Sequence, residues 1–225
     1  MPLAGKPLVE WSIAAFRACA AIRSIVVACP PGHVHDLDGH DLSVVEGGAT
    51  RSQSVSNALA AVGTELVAIH DAARPLLTPQ LVDDVVATLA ADPEADGAIA
   101  ATPVVDTIKR AADRGSVEAV PDPLPQHLSP SDAHRVINAS VVVEATVQRH
   151  GLWAAQTPQV FRTGALRRAI EAYPADAPET TDEAMLVEAV GGQVLIHPSS
   201  PENLKVTTPL DLRIAELLLS ARSVR

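Results

Sequence analysis

Leu66 to Pro75 reads LVAIHDAARP, and this stretch decides the fold. Leu66, Val67, Ala68 and Ile69 run without a polar break and stop at His70. So short an apolar run, with no alternation, predicts a strand buried on both faces in the middle of a parallel sheet. Asp71, Arg74, Pro75, Thr78 and Pro79 follow at once and turn the chain into a helix. In open α/β sheets, ligands bind in the crevice beyond the carboxyl ends of the strands. A carboxylate and a guanidinium in that turn suit a phosphate-bearing substrate with a metal ion. Asp71 can hold a hard cation, and Arg74 can fork onto phosphate oxygens. A surface salt bridge or a loop cap is the plainer reading of the same pair.

Outward from this stretch, composition narrows the class. The 225 residues suffice for one large domain with a full core. Hydrophobic residues make up 47% but aromatics only 2%, so Ala, Val, Leu and Ile must build that core, as in α/β layers. A net charge of −10 argues against nucleic acid as a partner. Two cysteines, Cys19 and Cys29, are too few for a disulfide framework. No leader pattern and no apolar run of spanning length occurs, so a cytoplasmic protein without membrane contact is expected.

Strand and helix patterns alternate along most of the chain, which predicts parallel βα units on one sheet. A turn through Met1 to Pro7 leads to a helix with Leu8, Trp11, Ile13, Ala15, Phe16 and Cys19 apolar. Ser24 to Ala28 and Ser43 to Glu46 read as strands. His33, His35 and His40 lie between them among Asp36, Asp38 and Asp41; without regular ligand spacing, a solvated segment is the better reading than a metal site. Gly47 and Gly48 then precede a capping box, Thr50 with Gln53, that opens a helix from Arg51 to Val62. Glycines at such a turn, with free N–H groups at the helix start, favour anions.

Thr78 and Pro79 open the next helix, and Gly97 to Ala101 is a further apolar strand ending near Asp106, Thr107 and Lys109. Gly115 to Ser140, with Pro121, Pro123, Pro125 and Pro130, reads as a long excursion. Strands follow at Ser140 to Val147, Gln193 to Ile196 and Asn203 to Thr207, with helices from Thr163, Thr180 and Thr208. Thr180 with Glu183 forms a second capping box.

The stretches GGATRSQSV, HDAARP, PVVDTIK, TVQRHGLWAAQTPQVF, TDEA and NLKVTTP occur in this order. Together they resemble the 2-C-methyl-D-erythritol 4-phosphate cytidylyltransferase family, and HDAARP with LWAAQTPQVF is shared mainly with ribitol-phosphate cytidylyltransferases. The resemblance implies a Rossmann-like nucleotidyltransferase fold: one domain over residues 1–225, a mainly parallel sheet flanked by helices, and a β-arm at about 104–150 that makes a homodimer. It implies transfer of CMP from CTP to a sugar-alcohol phosphate, with Mg²⁺ and release of pyrophosphate. By the resemblance, Gly47, Gly48 and Ser54 face the cytidine half. Asp71 and Arg74 sit at the methylerythritol phosphate, with Asp71 at the metal. Thr107 and Arg149 lie in the arm and reach the partner subunit's substrate. Thr157 and Thr181 hold the phosphate or polyol, and Lys205 meets phosphate oxygens. Lys205, Arg149 and Asp71 are the expected catalytic residues.

Three departures stand out. The family opens with a strand and a glycine-rich loop, AAGxGxR, followed by Pro-Lys, and these residues contain no match to it. Because that loop cradles the triphosphate, the 225 residues alone are expected to release little pyrophosphate. Gln148 stands before Arg149 where an Asp is usual, and the stretch from Pro121 to Asn138 is longer than the usual arm. Ribitol phosphate as acceptor and a non-catalytic dimer-forming homologue are the alternative readings.

Overall fold

The computed structural model describes residues 2–34, 37, 42–112, 142–173 and 180–223. They fall into two compact units: residues 1–102 with 155–205, and residues 103–154 with 206–225. The histidines at 35 and 40, and the stretch from Pro121 to Asn138, lie outside the described residues.

In the first unit, β1 (Pro2–Leu3) and β2 (Lys6–Pro7) form a small antiparallel hairpin around Ala4 and Gly5. It leads straight into α1 (Leu8–Arg17), which buries Ser12, Ile13 and Ala15 at helical spacing. β3 (Ile25–Cys29) pairs in parallel with β4 (Leu42–Glu46) as a separate two-stranded sheet. Next come α2 (Arg51–Ala60), β5 (Leu66–Ile69), α3 (Pro79–Ala90) and β6 (Gly97–Pro103). β9 (Trp153–Arg162), α4 (Thr163–Ala172), α5 (Glu183–Ala189) and β10 (Val194–Pro198) complete the unit. Its four-stranded sheet has the order β10-β6-β9-β5, parallel where β10 meets β6 and antiparallel where β5 meets β9.

The core lies over β6 and β9. Ala98, Ala100, Ala101, Val160 and Phe161 are all at 0% exposure. Gly97 belongs to this packing, because a Cβ there would stand 2.4 Å from the Phe161 ring. β5 differs from its sequence expectation. It is the edge of the four-stranded sheet, antiparallel to β9, and all four residues are half-buried. An uninterrupted apolar run reports burial by both helix layers, and it does not report which neighbour fills each edge. Asn203 to Thr207 also departs: it is irregular backbone, with its polar groups tied to β9 and to the next helix instead of a ladder. β9, whose polar Gln156, Thr157 and Gln159 hide its strand character, is the longest strand described.

In the second unit, β7 (Ile108–Ala111) pairs antiparallel with β8 (Val143–Val147), and a register shift falls between Arg110 and Ala111. All four β7 residues are exposed. Arg149 donates from its guanidinium to the Val105 carbonyl, and Lys109 Nζ donates to Thr146 Oγ1 at 2.7 Å. α6 (Pro209–Ser223) starts where Asp211 Oδ2 accepts the Thr207 and Thr208 N–H groups.

Candidate functional site

The site is built at the turn after β5. The Asp71 N–H donates to Thr157 Oγ1 at 3.1 Å, and that hydroxyl lies 2.9 Å from His70 Nδ1. His70 Nε2 lies 3.1 Å from the Arg74 carbonyl, which can only accept, so Nε2 carries the proton and Nδ1 receives the Thr157 O–H. Burial pushes the imidazole down to about 4, so it is neutral at physiological pH. The chain of bonds from Asp71 through Thr157 and His70 to Arg74 fixes the turn to β9. The edge of the His70 ring also meets Phe16, with the centroids 5.5 Å apart.

Asp71 projects between two cations. Arg51 Nε reaches Oδ1 and Lys205 Nζ reaches Oδ2, each at 3.2 Å. Burial acts to raise the Asp71 carboxyl, but Arg51 and then Lys205 outweigh it and hold it below its ordinary range. Arg51 also forks onto Glu183, with Nη1 to Oε1 at 2.7 Å and Nη2 to Oε2 at 2.9 Å. The Glu183 side chain is 0% exposed. Burial pushes its carboxyl upward, with the Arg51 fork pulling the other way. The result is a row of alternating charges, Glu183, Arg51, Asp71 and Lys205, at one turn. Lys205 is the open end of that row, its side chain 36% exposed.

Asn203 places Lys205. Its buried side chain donates to Gln156 Oε1 at 2.9 Å and to the Thr157 carbonyl at 2.8 Å. Arg74 Nη1 donates to the Asn203 carbonyl at 2.8 Å, so Arg74 holds this loop in the structure, where the sequence pointed to a phosphate clamp. Its Nε is buried without a partner among the described residues.

The Gly47–Gly48 turn is closed on itself. The Gly47 N–H donates to the Cys29 carbonyl, Gly48 to Ser54 Oγ, Ala49 to Gln53 Oε1, and Gln53 to Thr50 Oγ1. The N–H groups of Gly47, Gly48, Ala49 and Gln53 are therefore committed internally. Ser54 Oγ donates in turn to the Thr50 carbonyl at 2.9 Å, which makes it a brace of the turn. The second capping box is corrected as well. Asp182 caps α5 by accepting the Met185 N–H, while Thr180 Oγ1 pairs with Ser52 Oγ and Glu183 turns inward to Arg51. Thr181 stands exposed between them.

Of the predicted residues, the structure brings Asp71, Arg74, Thr157 and Lys205 together through direct bonds. Thr107 and Arg149 belong to the second unit. Sequence reasoning missed Arg51, Glu183, His70 and Asn203. Glu183 was read as a capping residue because its spacing from Thr180 fits a box. Its true partner is 132 positions away, beyond the reach of any local pattern.

The donor set does not build a metal cage. Among the described residues no group of three or more His, Cys, Asp or Glu side chains converges, and both Asp71 oxygens face cations.

A sheet with acidic and basic side chains gathered past its strand ends defines an α/β protein of the kind that holds anionic ligands there. The chain belongs to the 2-C-methyl-D-erythritol 4-phosphate cytidylyltransferase family, whose sequence pattern matches residues 1–125 and 126–221. It is 36% identical over 236 residues to the 2-C-methyl-D-erythritol 4-phosphate cytidylyltransferase of Acidobacterium capsulatum, covering 100% of this chain and 88% of that one. It is 38% identical over 232 residues to the bifunctional enzyme IspD/IspF of Anaeromyxobacter sp., covering 98% of this chain and 52% of that relative. The chain therefore spans about half the length of the bifunctional protein. The crystal structure of 2-C-methyl-D-erythritol 4-phosphate cytidylyltransferase from Thermus thermophilus superposes with a TM-score of 0.76 at 30% identity, over 97% of this chain and 92% of that one.

Proposed function

We propose that this protein transfers the cytidylyl group of CTP to 2-C-methyl-D-erythritol 4-phosphate, a step of isoprenoid precursor synthesis. In this reaction an acceptor phosphate oxygen bonds to the α-phosphorus of CTP, and the bond from that phosphorus to pyrophosphate breaks. No protein nucleophile is needed. The protein aligns two polyanions and offsets the charge that gathers as they meet.

The observation that carries the reading is Asp71 held ionised between Arg51 and Lys205 in the turn past β5. Arg51 is bonded at Nε, Nη1 and Nη2 whereas Lys205 makes a single ion pair, so Lys205 is the group assigned to the acceptor phosphate. Arg51 keeps Asp71 oriented and is itself locked by Glu183. Thr157 fixes the turn from beneath. Mg²⁺ belongs to the proposal as a companion of the triphosphate, the usual way this ion binds, with one or two carboxylates and phosphate oxygens around it. Asp71, whose oxygens pair with Arg51 and Lys205, would be available to it only if Lys205 turned from Oδ2 to the acceptor phosphate. No described helix is long and apolar enough to cross a membrane. A homodimer, with the β7–β8 ribbon bringing Thr107 and Arg149 to a partner's substrate, is part of the same proposal.

Titration calorimetry with 2-C-methyl-D-erythritol 4-phosphate and with ribitol 5-phosphate tests the reading, followed by phosphorus NMR of each acceptor mixed with CTP. The expected result is saturable binding of the methylerythritol compound and formation of CDP-methylerythritol, however slow. Preferred binding of ribitol phosphate would change the acceptor. Binding without any product would make this chain a non-catalytic homologue, and no saturable heat with either acceptor would overturn the proposal.

A further inference from the structure

Lys205 meets Asp71 through a single ion pair at 3.2 Å, with the lysine side chain 36% exposed. A half-exposed pair of this kind contributes little, and holding a lysine in one geometry costs side-chain entropy. The pair alone therefore does not fix where Lys205 stands. Its place comes from the backbone that carries it, and that backbone is tied down two residues earlier.

The tie is a turn from Ser200 to Asn203, closed by the Asn203 N–H on the Ser200 carbonyl at 3.1 Å. Gln156 of β9 reaches both ends of this turn. Its Nε2 donates to the Ser200 carbonyl at 3.3 Å, and its Oε1 accepts from Asn203 Nδ2 at 2.9 Å. The Ser200 carbonyl can only accept, so the orientation of the Gln156 amide follows from its partners. One side chain thus staples the first and last residues of the turn to a core strand.

Asn203 has few other ties for its amide. Nδ2 also donates to the Thr157 carbonyl at 2.8 Å, and Oδ1 is buried without a partner among the described residues. Gln156 is therefore the only side chain bonded to the Asn203 amide among the described residues. Both are almost wholly enclosed, Gln156 at 7% and Asn203 at 3% exposure. Neither can exchange the other for water, so the bond between them is kept. Gln156 is itself held from the α5 side. Gln159 Nε2 donates to its carbonyl at 3.4 Å and to Asp182 Oδ2 at 3.0 Å.

We propose that Gln156 is a positioning residue for the acceptor site, setting Lys205 against Asp71 by stapling the turn that precedes it. This rests on the assignment of Lys205 to the acceptor phosphate. Gln156 acts through Asn203 and the backbone, and takes no part in the bonds that form or break.

The test reads Lys205 directly in the ligand-free 225-residue chain. The sequence has three lysines, Lys6, Lys109 and Lys205, so isotope-labelled lysine gives an NMR spectrum that is simple to assign. The two Hε protons of a lysine held in one rotamer have separate shifts, and a freed side chain averages them. The variants are Gln156→Leu and Gln156→Met, which keep an apolar filling and lose both bonds. Thr78→Ala is the control, since it removes a helix cap on α3 and leaves the staple intact. Wild type and Thr78→Ala are expected to show separate Lys205 Hε shifts, and both Gln156 variants to merge them without moving Lys6 or Lys109. Affinity of the Gln156 variants for 2-C-methyl-D-erythritol 4-phosphate should fall about 2- to 10-fold, the worth of one neutral hydrogen bond.

Separate shifts in both folded Gln156 variants would overturn the proposal, and so would merged shifts in the wild type, where Lys205 would have no position to set. Merging in Thr78→Ala as well would mean general loosening and overturn it too. Failure of both Gln156 variants to fold would make Gln156 a core residue only and would end the proposal. So would affinity left unchanged by the Gln156 variants although Lys205→Ala lowers it. Should the wild type bind no acceptor, the phosphate assignment of Lys205 falls, while the Lys205 spectrum still decides the staple by itself.

Discussion

Two turns at strand ends in the first unit meet opposite fates. The turn after β4 carries Gly47 and Gly48 and closes its backbone donors onto Cys29, Ser54, Gln53 and Thr50. The turn after β5 carries His70, Asp71 and Arg74 and leaves charged side chains facing one another, with Lys205 open to solvent. Glycine at a strand end permits close approach of a ligand, but it binds one only if the nearby N–H groups remain free. In the first turn the donors of Gly47, Gly48 and Ala49 are already committed, whereas in the second Lys205 keeps an open face.

The sharpest way to break this contrast is to unlock the charged row. Arg51→Met leaves the Glu183 carboxylate buried without its partner, and removing one member of a buried pair costs about 3–5 kcal/mol. Urea unfolding near neutral pH reads that loss. The deficit narrows in mildly acidic solution, because burial favours the protonated form of a stranded carboxyl. A deficit under about 1 kcal/mol at both pH values would mean that the fork onto Glu183 is no lock.

His70 supplies the second test. Its folded value of about 4 lies below the ordinary 6.5, so the unfolded chain binds more protons between those values. Stability from this group is complete above the unfolded value and is lost as pH falls toward the folded one. The loss amounts to about 3 kcal/mol. Unfolding free energies of wild type and His70→Gln, followed from neutral pH to pH 4, should diverge by that amount over the range. Parallel curves would show that the imidazole is not held neutral under the turn.

Much of the fold and part of the site were legible in the sequence, for physical reasons that particular residues show. Thr50 with Gln53, and Thr78 with Pro79, marked true helix starts because a cap is a local device. Asp71 was singled out because it directly follows an apolar strand, and the structure sets it between Arg51 and Lys205. The neighbours of that strand were not legible, since Leu66 to Ile69 carry no record of which strand lies beside them. Arg74 was read as a ligand clamp, but its Nη1 is turned to the Asn203 carbonyl. An arginine beside a site looks the same in sequence whether it holds substrate or backbone. Arg51 and Glu183 escaped notice because their pairing joins distant parts of the chain.

Smaller effects sharpen the comparison further. On the proposed role of Lys205 at the acceptor phosphate, Lys205→Ala loses a charged hydrogen bond worth about 1.5–3 kcal/mol, or roughly 10–100-fold in affinity for 2-C-methyl-D-erythritol 4-phosphate by calorimetry. Unchanged affinity would take Lys205 out of the phosphate site. Ser54→Ala, in the closed turn, should lower stability by about 1 kcal/mol through the lost brace to Gly48 and leave that affinity unaltered. A loss of CTP affinity larger than the loss of stability would return Ser54 to the cytidine half.

The most direct test of the contrast is amide NMR during titration with 2-C-methyl-D-erythritol 4-phosphate. The account predicts saturable shifts at His70 to Arg74 and at Lys205, with Gly47 to Ala49 staying in place. Saturable shifts centred on Gly47 to Ala49, with the Asp71 turn silent, would contradict it.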